Sequence, residues 1–233
     1  MGAMLKGEER LTIQINGNGP IGTMMVDADG KGNVKGFLSN PNANADVADV
    51  SKVVGNLGLL KVIKTNQLKH NFTGEVMLQT GQIGDDISYY FYTSEQTPSI
   101  VVLSVNISKN GKIASAGGMI VQLLPSATEE DLIEVENKVR SYGSFSEALN
   151  EKKIEEIIKE IFPDFIELSR NDVNYKCDCS KKKFSKIIKL IGKEELDDII
   201  EKDHGCHVTC NFCRKEYNYS EEELIEIRNS IKG

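Results

Sequence analysis

The chain has 233 residues, enough for one medium domain plus a small one, and its 39% hydrophobic and 27% charged residues are ordinary for a soluble globular protein. A net charge of −7 makes nucleic acid or an anionic membrane a poor partner, and without an apolar run of about 18 residues no transmembrane helix is expected. The N-terminus lacks the basic start and long apolar stretch of a signal peptide, so the expected location is the cytoplasm.

Residues 1–125 read as a strand-rich domain. Leu11 to Ile15 alternates apolar and polar residues, as a half-buried strand does, and Asn16 to Pro20 supplies turn residues. Met24–Val26 and Val34–Leu38 flank Asp29-Gly30-Lys31-Gly32, which predicts a hairpin. The aromatic run Ile87 to Tyr92, preceded by Asp85 and Asp86, suits a strand. Ser99–Ile107 and Ile113–Leu124 flank Lys109-Asn110-Gly111, a second hairpin signal. The spaced glycines Gly17, Gly19 and Gly22 lead from one strand toward another, not into a helix, so they are a weak phosphate-site signal. Ser94-Glu95-Gln96-Thr97-Pro98-Ser99 reads as a polar turn between strands rather than a nucleophile loop, since no histidine is close in sequence.

The segment 126–170 changes to helical spacing. Thr128 is a good N-cap, and the acids at 129–131 suit a first helical turn. Leu132, Val135 and Val139 line one face. Gly143 interrupts, Leu149, Ile154, Ile157, Ile158 and Ile161 resume the pattern, and Pro163 stops it. This is an amphipathic connector, or a marginal segment able to unfold and expose apolar surface.

Residues 171–233 carry four clustered cysteines. Val173–Tyr175 predicts a short strand leading into Cys177-Asp178-Cys179. A helix with Phe184, Ile187, Ile188 and Ile191 on one face follows, then a second over Glu194–Glu201, broken by His204-Gly205. Cys206 and His207 read as spare residues in a turn before Cys210-Asn211-Phe212-Cys213. Lys215–Tyr219 suits a strand, and Ser220 with Glu223 forms a capping-box start. A C-x-C pair and a C-x-x-C pair can grip opposite sides of one tetrahedral Zn²⁺ through Cys177, Cys179, Cys210 and Cys213. A module this small has little apolar core, so a metal staple is physically reasonable. Four thiolates leave no open position for hydrolysis. The thiolates are also what oxidants attack, so the site reads as metal-binding when reduced and able to form disulfides when oxidised. Cys206 or His207 could compete for the metal. His70 and His204 show no partner pattern.

Together these pieces resemble the Hsp33 family of redox-regulated bacterial chaperones. The likeness is carried by Met4-Leu5-Lys6-Gly7-Glu8, Gly19-Pro20-Ile21-Gly22, Ser94–Ser99, Ala116-Gly117-Gly118 with Gln122 and Pro125, and the two cysteine motifs with Ser180. The resemblance implies an α+β core domain (1–125), a helical linker (126–170) and a C-terminal zinc-binding redox-switch domain (171–233). It implies one Zn²⁺ per chain in a reduced, inactive form. Oxidation would form the disulfides Cys177–Cys179 and Cys210–Cys213, release the zinc, and unfold the zinc domain and linker. The active form would be an ATP-independent holdase for unfolding client proteins, typically a homodimer, and not an enzyme. Family members usually carry a further strand and helix before the Met4–Glu8 motif, so a sheet lacking a strand, with an open edge, is the expectation here. Two other readings are a zinc-ribbon module for nucleic acid, using the basic residues Lys181-Lys182-Lys183 and Arg214-Lys215, and a thiol–disulfide oxidoreductase using the C-x-x-C pair.

Overall fold

A computed structural model describes residues 1–43 and 49–231. In chain order the strands and helices are β1 (Arg10–Gly17), β2 (Thr23–Asp29), β3 (Asn33–Leu38), α1 (Ser51–Val54), β4 (Gly58–Thr65), β5 (Asn71–Met77), α2 (Ile83–Ser94), β6 (Ser99–Ile107) and β7 (Ile113–Gln122). The helices α3 (Glu129–Ser141), α4 (Phe145–Glu151) and α5 (Ile154–Ile161) follow. The chain ends with β8 (Asn174–Tyr175), α6 (Lys181–Ile188), α7 (Lys193–Asp203), β9 (Gly205–Thr209), β10 (Glu216–Ser220) and α8 (Glu221–Asn229). The protein is α+β, as its sequence leads one to expect. It divides into two units. One comprises Met1–Gly32 with Leu38–Val173, the other Asn33–Phe37 with Asn174–Gly233.

In the first unit the strands β5-β4-β1-β2 lie side by side, with β1 antiparallel to both β2 and β4 and β4 antiparallel to β5. The register sets Ile13 opposite Val26 and Val62, and Leu60 opposite Ile15 and Val76. Because side chains alternate across a sheet, Leu11, Ile15, Leu60, Val62 and Val76 share one buried face. The turn after β2 closes as the sequence predicts, with the Gly32 N–H donating to the Asp29 carbonyl.

The aromatic run 87–92 is not a strand. It lies inside α2, because Ile83, Ile87, Tyr90 and Phe91 recur at helical spacing and fit against the sheet, and this tertiary packing overrides the β preference of isolated aromatics. Asp86, 1% exposed, fixes the entry to this helix. Its carboxylate accepts hydrogen bonds from the backbone N–H groups of Gln79, Thr80 and Gly81 at 2.7–3.1 Å. Ser94–Ser99 therefore joins a helix to a strand, with the Thr97 N–H donating to the Phe91 carbonyl.

The glycines at 17 and 19 serve packing. A Cβ on Gly19 would lie 2.1 Å from the Val53 carbonyl oxygen. The Gly19 and Ile21 N–H groups already donate to the Val54 and Val53 carbonyls, which leaves them unavailable to a phosphate.

β6 and β7 form a separate antiparallel pair. One face carries Ile100, Val102, Met119 and Val121 and is covered by Val139, Phe145, Ile157 and Ile161 from the three following helices. Thr128 and Asp131 make the capping box that starts α3. The single helical block expected after Gly143 is broken at Lys152, which is extended and separates α4 from α5.

In the second unit β9 and β10 form an antiparallel hairpin, and α6, α7 and α8 bury Ile188, Leu196, Tyr217, Tyr219, Leu224 and Ile227. The expected apolar face of α6 is only partly realised. Ile188 is buried and Phe184 packs on the core, but Ile187 and Ile191 are exposed, because the helix tightens into a 3-10 turn over Lys189–Ile191. Cys206 and His207 lie in β9, not in a turn. β8 pairs in parallel with the first residues of β3, Asn33 opposite Asn174 and Val34 opposite Tyr175. Among the described residues no helix is long and apolar enough to cross a membrane.

Candidate metal centre

Two loops of the second unit carry the four cysteines. The first follows β8 and ends at Ser180, whose hydroxyl accepts from the Lys183 N–H and caps α6. The second joins β9 to β10. There the Cys210 N–H donates to the Lys215 carbonyl, the Arg214 N–H donates to the Cys210 carbonyl, and Arg214 takes a left-handed conformation (φ 62°) that folds the chain back. The second loop is thus closed by local bonds, and each loop brings two thiols to one cluster.

The four sulfurs lie within 4.8 Å of one another. Cys177 Sγ is 3.7 Å from Cys210 Sγ, and Cys179 Sγ is 3.4 Å from Cys213 Sγ. A tetrahedron with metal–sulfur bonds of ~2.3 Å has edges of about 3.8 Å, whereas a disulfide bond is ~2.05 Å. The cluster therefore has the spacing of a shared metal, and the cysteines are free thiols. Cys210 is buried, Cys177 and Cys179 are half-buried, and Cys213 is exposed.

The electrostatics favour a cation. Burial pushes the Cys177 thiol up to about 12, and the adjoining sulfurs of Cys179, Cys210 and Cys213 push in the same direction. Thiolates crowded this closely repel one another, and a divalent ion at their centre reverses that penalty. The donor set, all sulfur and four in number, fits Zn²⁺.

The structure also supplies neighbours that spacing does not reveal. Tyr217 Oη lies 3.1 Å from Cys179 Sγ. A thiolate has no proton to give, so in the ionised site the phenol must be the donor. That contact is the main reason the Tyr217 phenol is held above its ordinary value, with burial second. The ring is fixed against Phe184, 5.1 Å between centroids. Asp178, between the first two cysteines, pairs with Lys183 and, at 2.9 Å, with Lys35, and both hold its carboxyl well below the usual range. The sequence pattern for Tyr217 is an aromatic alternating with polar residues just beyond the second cysteine pair. For Lys35 there is none.

Other sequence candidates lie apart from the cluster. Cys206 faces the apolar core of this unit, opposite Tyr219 in the hairpin, and burial and then Glu223 raise its thiol. His207 lies 3.5 Å from Glu216 on the adjoining strand, and His204 caps α7 and meets Glu221 at 2.9 Å. In the basic run, Lys181 is paired with Glu223 and Lys183 with Asp178, which weakens the nucleic-acid reading.

A strand-rich α+β unit followed by a small unit that gathers four thiols defines a two-unit protein with a cysteine cluster able to hold a metal ion. A family model described as Hsp33 protein matches residues 1–220. A 33 kDa chaperonin of Bacillus pumilus is 41% identical over 241 aligned residues, covering 99% of this chain and 82% of its own. The 33 kDa chaperonin of Enterococcus faecalis is 38% identical, covering 98% and 80%. The crystal structure of the 33 kDa chaperonin, a heat shock protein 33 homolog, of Thermotoga maritima aligns with a TM-score of 0.85 at 31% identity, over 98% of this chain and 80% of that one. The chain belongs to the Hsp33 family, and that membership supports a chaperone function.

Proposed function

We propose that the protein is a redox-regulated, ATP-independent holdase of the cytoplasm, divided into a core (1–125), a linker (126–170) and a redox switch (171–233). The observation that carries this reading is the four-thiol cluster at metal spacing in a chain of this family. In the reduced state Cys177, Cys179, Cys210 and Cys213 would hold one Zn²⁺, whose positive charge would keep four crowded thiolates ionised. Binding of this kind contributes on the order of 10 kcal/mol to the folding of a small module. The core of the second unit is small, so the module depends on it.

Oxidation uses pairs of near neighbours, Cys177 with Cys179 and Cys210 with Cys213. One thiolate attacks the O–O bond of peroxide, forming a sulfenic acid and releasing hydroxide. Its neighbour attacks that sulfur, the S–S bond forms and a second hydroxide leaves. Two electrons pass from two sulfurs to the peroxide, and two protons from solvent turn the hydroxides into water. Each disulfide would take two of the four thiolates able to hold the ion and draw its sulfurs to a bonding distance of ~2.05 Å. The switch then unfolds, α3–α5 loosen, and their apolar residues become available to unfolding clients as a homodimer forms. The protein is a binding machine and not an enzyme. It would follow that removing Cys177 and Cys210 together abolishes both zinc binding and peroxide control. A double Ser variant that kept one zinc per chain and full control would contradict the assignment.

A further inference from the structure

Five residues of β3 belong to the second unit although nearly 140 residues of chain separate them from it. The contacts of this segment converge on the cysteine loops. The Lys176 N–H, one residue before Cys177, donates to the Val34 carbonyl at 2.9 Å. Lys35 Nζ reaches Asp178, between Cys177 and Cys179, and lies 4.8 Å from the ring centroid of Phe212, between Cys210 and Cys213. Phe37 meets Phe212 edge-on, 5.3 Å between centroids. The Tyr175 hydroxyl lies 3.1 Å from the Gly36 carbonyl oxygen and 2.7 Å from that of Phe212, so it ties all three segments together.

We infer that residues 33–37 form a latch on the metal centre, with Lys35 and Phe37 as positioning residues that seat both cysteine loops from a distant part of the chain. This rests on the zinc reading above. Lys35 bridges the two loops by two different interactions, an ion pair to Asp178 in one and a cation–π contact to Phe212 in the other. Neither Asp178 nor Phe212 is a candidate ligand, and each is the side chain through which its loop is held. The four sulfurs are one tie between the two loops, and the Tyr175 hydroxyl and Lys35 are others. Metal and latch hold the same two loops, so losing either weakens the seat of the other. Gly32 and Leu38 on either side belong to the first unit, so the event is carried by continuous backbone into the core sequence.

The chain contains no tryptophan, so Phe37→Trp in the full-length protein adds a unique fluorophore at the latch. Zinc content is measured first in the reduced Phe37→Trp protein and in the unsubstituted one. With zinc bound, stripping it with a chelator should red-shift the emission of the introduced indole in step with metal loss. In parallel, Lys35→Met should release zinc to a chromogenic chelator at least about threefold faster than the parent, with unchanged far-ultraviolet circular dichroism, and Lys35→Arg should restore the slow rate. Unchanged emission on metal removal, or equal release rates for Lys35→Met and the parent, would overturn the latch while leaving the zinc site standing. Absence of zinc from reduced unsubstituted protein would overturn both.

Discussion

Single residues separate what the metal centre needs from what merely lies nearby. The Tyr217 hydroxyl is a donor placed on one sulfur of four, and outer-shell donors of this kind tune affinity by roughly 10–100-fold. Tyr217→Phe keeps the ring against Phe184 and removes only the donor. Zinc affinity, measured by competition with a chelator, should fall about tenfold while the thermal transition of the metal-loaded protein is nearly unchanged, and an unaltered affinity would show the contact to be incidental. Cys206→Ser should leave zinc stoichiometry at the parent value, because that thiol faces the apolar core. Loss of metal in this variant would make Cys206 a ligand. The cysteine pairs are legible in the sequence because the two thiols of each pair lie within a few residues of chain. Tyr217 and Lys35 are not, because their partners are remote and nothing local requires them.

At the scale of elements, α2 shows how a local preference misleads. Ile87 to Tyr92 carries strand-forming residues, yet Ile87, Tyr90 and Phe91 bury one helical face, and Asp86 gathers three backbone N–H groups that would otherwise be orphaned. Asp86→Ala should cost about 3 kcal/mol in urea unfolding, since buried bonds to a carboxylate are among the stronger ones, and a cost below experimental error would mean water replaces the carboxylate. The helices after β7 are legible through Thr128 and the isoleucine spacing, but the break at Lys152 is not, because no proline or glycine marks it. α5 is held by exposed ion pairs, Lys152 with Glu160 and Arg170 with Glu155. Lys152, followed by Tyr142, lowers the Glu160 carboxyl, and Arg170, which also pairs with Glu167 beyond the helix, lowers that of Glu167. A lowered folded-state value means the stabilisation is present above the unfolded carboxylate range near ~4.3 and is lost as pH falls through the folded value. Lys152 itself is raised by Glu160, so its share is lost only at strongly alkaline pH. Proteolysis of 126–170 should therefore accelerate as pH drops below about 4, and Lys152→Met should flatten part of that acid limb. An identical pH profile in the variant would show these pairs to be without effect.

For the whole molecule, two units of unequal size are joined where the chain passes between them three times, at 32/33, 37/38 and 173/174. The strand-rich and cysteine-bearing regions are separable in the sequence by composition and motif. The inclusion of 33–37 with the cysteine unit is not, because a parallel pairing of two residues leaves no periodic signature. The larger core rests on Leu60, Val62 and Phe91, all fully buried, and owes nothing to the metal. The smaller one has few such residues and sets its four-cysteine cluster beside them. In the proposed switch, an input at four sulfurs would unfold part of the chain while the remainder persists. The most direct measurement is bound zinc together with suppression of light scattering from an aggregating client, before and after peroxide at elevated temperature. One zinc per chain with no protection before treatment, then zinc loss with protection after it, is the predicted result. Zinc retained after treatment, or protection equal in both states, would contradict the switch.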